Sequence, residues 1–238
     1  MDAIVFNVTT AALMVLMFKG GLALLGEDTL RRRPVPWAAI ALTALVVAGL
    51  VTQLCWSGAM DALDSDPSKT GWWRPVTSVF MQNGGLFGDA WNLATLAVIA
   101  ALADWFWGGP LTLGLFAAGI LLPTYIDTLF GESAHSTDPR NFAGSSGATY
   151  FLGATLAAPL LLRALRAVRS RARTQEALLA FGVPVLGLVM WFTQANGHGL
   201  VAVYGSLLGA LACLLPRRSA TPLSGPVERG AAERSPQG

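Results

Sequence analysis

Apolar residues run along this chain in stretches of about twenty, broken by short segments in which Arg, Gly, Pro and Ser recur. The stretches cover 4–25, 36–57, 88–107, 109–130, 146–162, 176–194 and 197–215. About 20 apolar residues carry an α-helix across a bilayer, so the pattern predicts seven membrane-spanning helices and an all-α polytopic membrane protein. Lys19 lies inside the first stretch, close enough to its end to snorkel to the interface. Asp89, Asp104 and Asp127 fall at the boundaries of the third and fourth. Residues 177–216 exceed one span, and Asn196-Gly197 is the natural turn that folds them into two, with His198 opening the last helix.

Composition agrees with that picture. The 238-residue chain is 53% hydrophobic and 13% charged, about half the roughly 25% charged share of an average soluble domain. A net charge of +2, with Arg gathered in short runs between apolar stretches, argues against a nucleic-acid partner. Two cysteines, Cys55 and Cys213, expected near opposite membrane faces, make no disulfide framework.

The arginine runs set an orientation. Arg31-Arg32-Arg33, the group from Arg163 to Arg173, and Arg217-Arg218 fall on one side if every predicted helix spans. Lys and Arg prefer the cytoplasmic side, which puts the N-terminus outside and the C-terminus in the cytoplasm. The outer side then receives 58–87, 131–145 and the turn at 195–197. Residues 216–238, rich in Pro, Ser, Gly, Arg and Glu, are expected to form a disordered cytoplasmic tail. No cleavable leader is recognised, so the first helix is expected to be retained. Ala-, Gly- and Arg-rich usage points to a bacterial cell membrane.

Polar groups are costly inside a bilayer and mark candidate function. Asn92 lies about a turn into the third helix from outside, Ser146 begins the fifth, and His198 begins the seventh. An amide, a hydroxyl and an imidazole thus share one depth, as a nucleophile, its base and an oxyanion donor require. Gly144 and Gly147 flank the serine, allowing close backbone approach where a helix N-terminus favours developing negative charge. Tyr150, four residues on, shares the serine's face and can stack on an imidazole. Gly205 and Gly209 form one face of the last helix, in a pattern that permits close packing, with Gly153 and Ala154 expected opposite. Each polar group also has a plain reading: helix cap for Ser146, interhelical bond for Asn92, interfacial residue for His198.

Together these residues resemble the rhomboid family of intramembrane serine proteases. The matching features, in order, are Trp73-Arg74 in the first outer loop, Asn92 in the next helix, Gly144-Ser145-Ser146-Gly147, and His198 in the final core helix. The resemblance covers a six-helix core at 36–215 and leaves 1–35 as an additional N-terminal helix with a basic linker. It implies cleavage of the transmembrane segments of membrane-protein substrates near the outer face. Ser146 would be nucleophile, His198 base and then acid, and Asn92 with the Ser146 amide the oxyanion donors. Tyr150, Gly144, Gly147, Trp73 and Arg74 would support them, and no metal or cofactor is implied. Where the family carries a histidine four residues before the asparagine, this chain has Gly88, and one residue is inserted between Phe80 and Asn92. That departure supports an alternative, a catalytically inactive relative that binds transmembrane clients.

The remaining features read as structural. Trp56, Trp72, Trp73, Trp91, Trp105 and Trp107 fit an interfacial aromatic belt. His135 with Glu132 and Asp138 is too sparse a set for a metal site.

Overall fold

The computed structural model describes residues 3–129, 143–166 and 171–215. The expected tail at 216–238, His135 with most of its loop, and Arg169 lie outside them. Ten α-helices occur among the described residues: α1 Ala3–Leu25, α2 Trp37–Cys55, α3 Ala59–Leu63, α4 Arg74–Thr77, α5 Gly85–Trp107, α6 Gly109–Leu129, α7 Ser146–Ala154, α8 Ala157–Arg166, α9 Arg171–Gln194 and α10 Gly197–Ala212. The chain is an all-α polytopic membrane protein.

Among the described residues five segments are long and apolar enough to cross a membrane: α1, α2, α5, the pair α7–α8 taken as Ser146–Arg166, and Thr174–Gln194 of α9. The two other expected spans are shorter. In α6 the apolar part is Gly109–Pro123, and α10 has 16 residues. At 1.5 Å per residue α10 is about 24 Å long, against a hydrocarbon thickness of about 30 Å. Its start is set by the Asn196 cap and its end by the turn at 213–215.

Segment α7–α8 is the axis of the bundle, with 72% of its span buried against 22–33% for the other four. Small residues at Ala148, Thr149, Gly153, Ala154 and Ala157 let neighbours reach its backbone from several sides. A side chain at Gly205 of α10 would run into the Phe151 carbonyl, and one at Gly209 into Thr155. Gly153, expected to face α10, instead faces Met17 of α1 and Ile99 of α5. Ala154 does meet Gly205. Helix rotation places 153 away from the residues that α10 covers, so the two glycine sets serve different neighbours. On a third side Gly119 of α6 packs on Phe151.

Helix α1 lies within this bundle. Its Leu13, Met14 and Met17 are buried, and it packs on α5, α7, α8 and α9. Its last carbonyls have no helical partner. Arg163 supplies one, donating from Nη1 to the Leu24 carbonyl at 2.9 Å while its Nη2 bonds Glu176 of α9 at 2.6 Å. Arg33 donates to the Leu25 carbonyl at 2.9 Å. Members of two arginine runs therefore meet at one end of α1, where cations also suit the helix dipole. Asp104 reinforces this end, accepting from the Ala38 N–H of α2 at 2.8 Å. Just beyond, Gly108 at φ 82° ends α5, a left-handed turn that a side chain would strain. Ser146 lies at the opposite end. Cys55 and Cys213 are not joined in a disulfide.

Candidate active site

Gly144 opens the site. At φ 140° it adopts a backbone that favours glycine, and its N–H donates to the Ser78 carbonyl at 3.0 Å, tying the chain before α7 to the segment before α5. The two serines that follow then part. Ser145 is fully buried, its Oγ 3.5 Å from Nε2 of Gln82. Ser146 turns the other way, with Oγ 3.0 Å from Nε2 of His198. The first helical bond of α7 runs from the Thr149 N–H to the Ser145 carbonyl at 3.0 Å. The N–H groups of Ser146, Gly147 and Ala148 thus have no acceptor within the helix and point out of its N-terminus beside the hydroxyl.

His198 is brought there by close packing of α10. Besides the contacts at Gly205 and Gly209, Gly199 presses on Gly187 of α9, with each backbone where the other's side chain would be. The imidazole packs against Tyr150, ring centroids 4.8 Å apart at 63°, and Phe6 of α1 lies 6.4 Å away edge-on. The Tyr150 hydroxyl donates to the Thr10 carbonyl at 2.8 Å, anchoring that ring to α1.

Asn92 faces the same space. A side-chain carbon at Gly144 would lie 3.8 Å from both Asn92 Nδ2 and Ser146 Oγ. One N–H of the Asn92 amide donates to Gln82 Oε1 at 2.9 Å, which leaves the second N–H for an acceptor in that space. Gln82 is itself buried, and its backbone is pinned by Gln53 of α2: the Gln82 N–H donates to Gln53 Oε1, and Gln53 Nε2 donates to the Gln82 carbonyl, both at 2.8 Å. Around Gly88 the space is open, and a side-chain carbon there would meet nothing within 4 Å.

Trp73 and Arg74 lie apart from these groups and organise the 58–77 segment. Arg74 Nη1 donates to the Asp61 carbonyl at 3.1 Å and to the Asp64 carbonyl and Oδ1, each at 3.0 Å. Trp73 is 41% exposed and meets Trp72 edge-on at 6.2 Å. Lys69 joins the same knot through Asp61 at 2.9 Å and Asp64 at 3.0 Å. Bonds from the Ser68 hydroxyl and N–H hold the Asp66 carboxyl below its ordinary 3.8, and bonding to Asp61, then Asp64, holds the Lys69 ammonium above 10.5. A lowered carboxyl contributes stability above its unfolded value and loses it as pH falls through the folded one. A raised ammonium contributes below its unfolded value and loses it as pH rises through the folded one. Amide exchange in 58–77, corrected for intrinsic rates, should therefore be flat across neutral pH and rise below about pH 3.8 and above about pH 10.5.

Chemically, a hydroxyl 3.0 Å from an imidazole nitrogen can pass its proton along that bond. The first amides of α7 and the Asn92 side-chain N–H lie near the Ser146 hydroxyl, and such donors are the kind that stabilise an oxyanion. Among the described residues no group of three or more His, Cys, Asp and Glu is placed to hold a metal.

Three participants lie outside the set that the sequence predicts, Asn196 beside His198 and Phe6 and Thr10 from α1, while Gln82, from the stretch with the inserted residue, is the partner of Asn92. Asn196 carries a usable signal, because an Asn two residues before a histidine that opens a helix is a natural cap. Phe6 and Thr10 carry none, being almost two hundred residues from His198 in the chain. No family model matches this chain, and neither a curated protein nor a solved structure does.

Proposed function

We propose that this protein is a rhomboid-type intramembrane serine endopeptidase, a hydrolase that cuts the transmembrane segments of other membrane proteins. The observation that carries the reading is the 3.0 Å contact between Ser146 Oγ and His198 Nε2 at one end of a membrane-spanning bundle. Ser146 attacks the scissile carbonyl while Nε2 takes its proton, and the carbonyl oxygen becomes an oxyanion between the Ser146 amide and Asn92. Collapse of that intermediate breaks the C–N bond, with the proton passing from Nε2 to the leaving amine. Water then attacks the acyl-enzyme with His198 again as base, and Ser146 is regenerated. The chemistry needs no metal or cofactor.

Orientation belongs to the same proposal. Arg33 and Arg163 meet at the end of the bundle opposite Ser146, which supports a cytoplasmic placement for that end and an outer placement for the site, in a bacterial cell membrane. Thr10 contacts the site seven residues after Ala3, the first residue of α1. This supports a depth of about 10 Å below the start of that helix. Cleavage is therefore expected in the outer third of a substrate span.

Gly88 favours a second reading, a client-binding protein without turnover, because it carries no side chain to donate and none of the described residues comes within 4 Å of where its side-chain carbon would be. Asn92 separates the two. In the protease, with few donors to share the charge, Asn92→Ala should lower kcat about a hundredfold or more with KM little changed. Gly88→His, for which there is room, should raise the rate. The deciding experiment reconstitutes the protein in liposomes with a panel of single-span substrates and maps any cut by mass spectrometry. A Ser146-dependent cut in the outer third supports the protease. Substrate capture without any cut, at every lipid composition, supports the client binder.

A further inference from the structure

We infer that Asn196 and Thr10 form a relay that locks His198 in the tautomer a general base needs, making α1 a working part of the site. The inference rests on the serine-hydrolase reading for its consequence, and on hydrogen-bond direction alone for its chemistry. The His198 backbone N–H can only donate, and it points at one terminal atom of the Asn196 amide, 3.0 Å away. That atom is therefore the oxygen, Oδ1. The other end of the amide agrees. Thr10 Oγ1 spends its own proton on the Phe6 carbonyl at 2.7 Å, so toward Asn196 it accepts, from Nδ2 at 2.9 Å.

Oδ1 also lies 3.2 Å from Nδ1 of the His198 ring. A carboxamide oxygen cannot donate, so Nδ1 carries the hydrogen. A neutral imidazole has one N–H. Nε2 then presents its lone pair, and it is Nε2 that faces Ser146 Oγ at 3.0 Å. With the opposite tautomer two lone pairs would oppose each other at Nδ1, and Nε2 would offer serine a proton instead of taking one.

A helix cap would explain part of this. Asn is a favoured cap, and capping accounts for the bond to the His198 N–H. It requires neither the approach to Nδ1 nor the bond to Thr10 of a helix distant in sequence. Asn196 is fully buried, and Ala195 before it sits at φ 48°, a left-handed conformation uncommon for a residue with a side chain. The turn between α9 and α10 is thus shaped to bring this amide between α1 and the ring. Asn196 and Thr10 act through His198 and are positioning residues.

The test uses the full chain in lipid nanodiscs and two readouts: the rate of fluorophosphonate labelling, and the histidine side-chain 15N spectrum, which distinguishes Nδ1–H from Nε2–H. Asn196→Ser keeps a good cap but is too short to reach Nδ1. It should leave the melting temperature near wild type, slow labelling by about tenfold or more, and let the Nε2–H form appear. Thr10→Val, isosteric and far from the cap, should slow labelling several-fold and mix the tautomers, while Thr10→Ser should behave as wild type. If Asn196→Ser does not fold, Thr10→Val decides. Wild-type labelling and an unchanged Nδ1–H signal in the folded variants would overturn the relay. If the wild type does not label at all, the hydrolase reading fails, and the 15N spectra of the same variants still decide the relay on their own.

Discussion

Replacing Ser146 by alanine should abolish fluorophosphonate labelling and lower substrate cleavage on the order of 10⁴- to 10⁶-fold, the scale on which serine hydrolases lose rate when the nucleophile goes. Ser145→Ala, by contrast, should keep most activity. Both residues sit in the same glycine-flanked turn, but only Ser146 has its Oγ 3.0 Å from the His198 ring, whereas Ser145 Oγ is buried against Gln82. The Ser145 carbonyl, which starts the α7 ladder and also accepts from Thr149 Oγ1 at 2.8 Å, survives its own alanine substitution. Labelling and cleavage measured on the two variants side by side check this. Full turnover by Ser146→Ala would move the nucleophile elsewhere.

Gly205→Val should be among the most damaging apolar changes in the bundle. Even the first carbon of a side chain there collides with the Phe151 carbonyl and crowds Ala154, and neither is a flexible side-chain end that can swing aside. The helices must separate. Overpacking of this sort costs about 1–3 kcal/mol, and a shift of about 1 Å between reacting groups costs on the order of a hundredfold in rate. We expect a melting temperature lowered by several degrees and a labelling rate about a hundredfold down. Gly114→Val is the control, because nothing lies within 4 Å of a side chain there. Equal behaviour of the two variants would mean that α10 does not hold His198 through its contact with α7.

The membrane architecture is legible because bilayer thickness imposes a length on every apolar run, and that length survives in the sequence whatever the tertiary packing. The exceptions are instructive. Helix α10 falls short because its beginning is decided by the Asn196 cap, a local polar event that hydropathy does not record. Sequence alone sets Gly153 against α10, because it is small and on the right helix. Which neighbour a small residue admits depends on helix rotation, and the structure turns it toward Met17 and Ile99. At the site, apolar boundaries suffice to put Ser146, Asn92 and His198 near one end of three helices. Nothing local can supply Thr10: a threonine that bonds its own helix carbonyl at 2.7 Å looks in sequence like any other membrane threonine. Its second bond, to an amide 186 positions away, exists only once α1 is docked.

Activation of the Ser146 nucleophile by His198 is tested by peptide mapping of the fluorophosphonate adduct on the wild-type protein and on His198→Ala in lipid bilayers. A single adduct on Ser146 is expected in the wild type, and none in a folded His198→Ala protein. An adduct on another residue, or equal labelling of Ser146 with and without the imidazole, would contradict it.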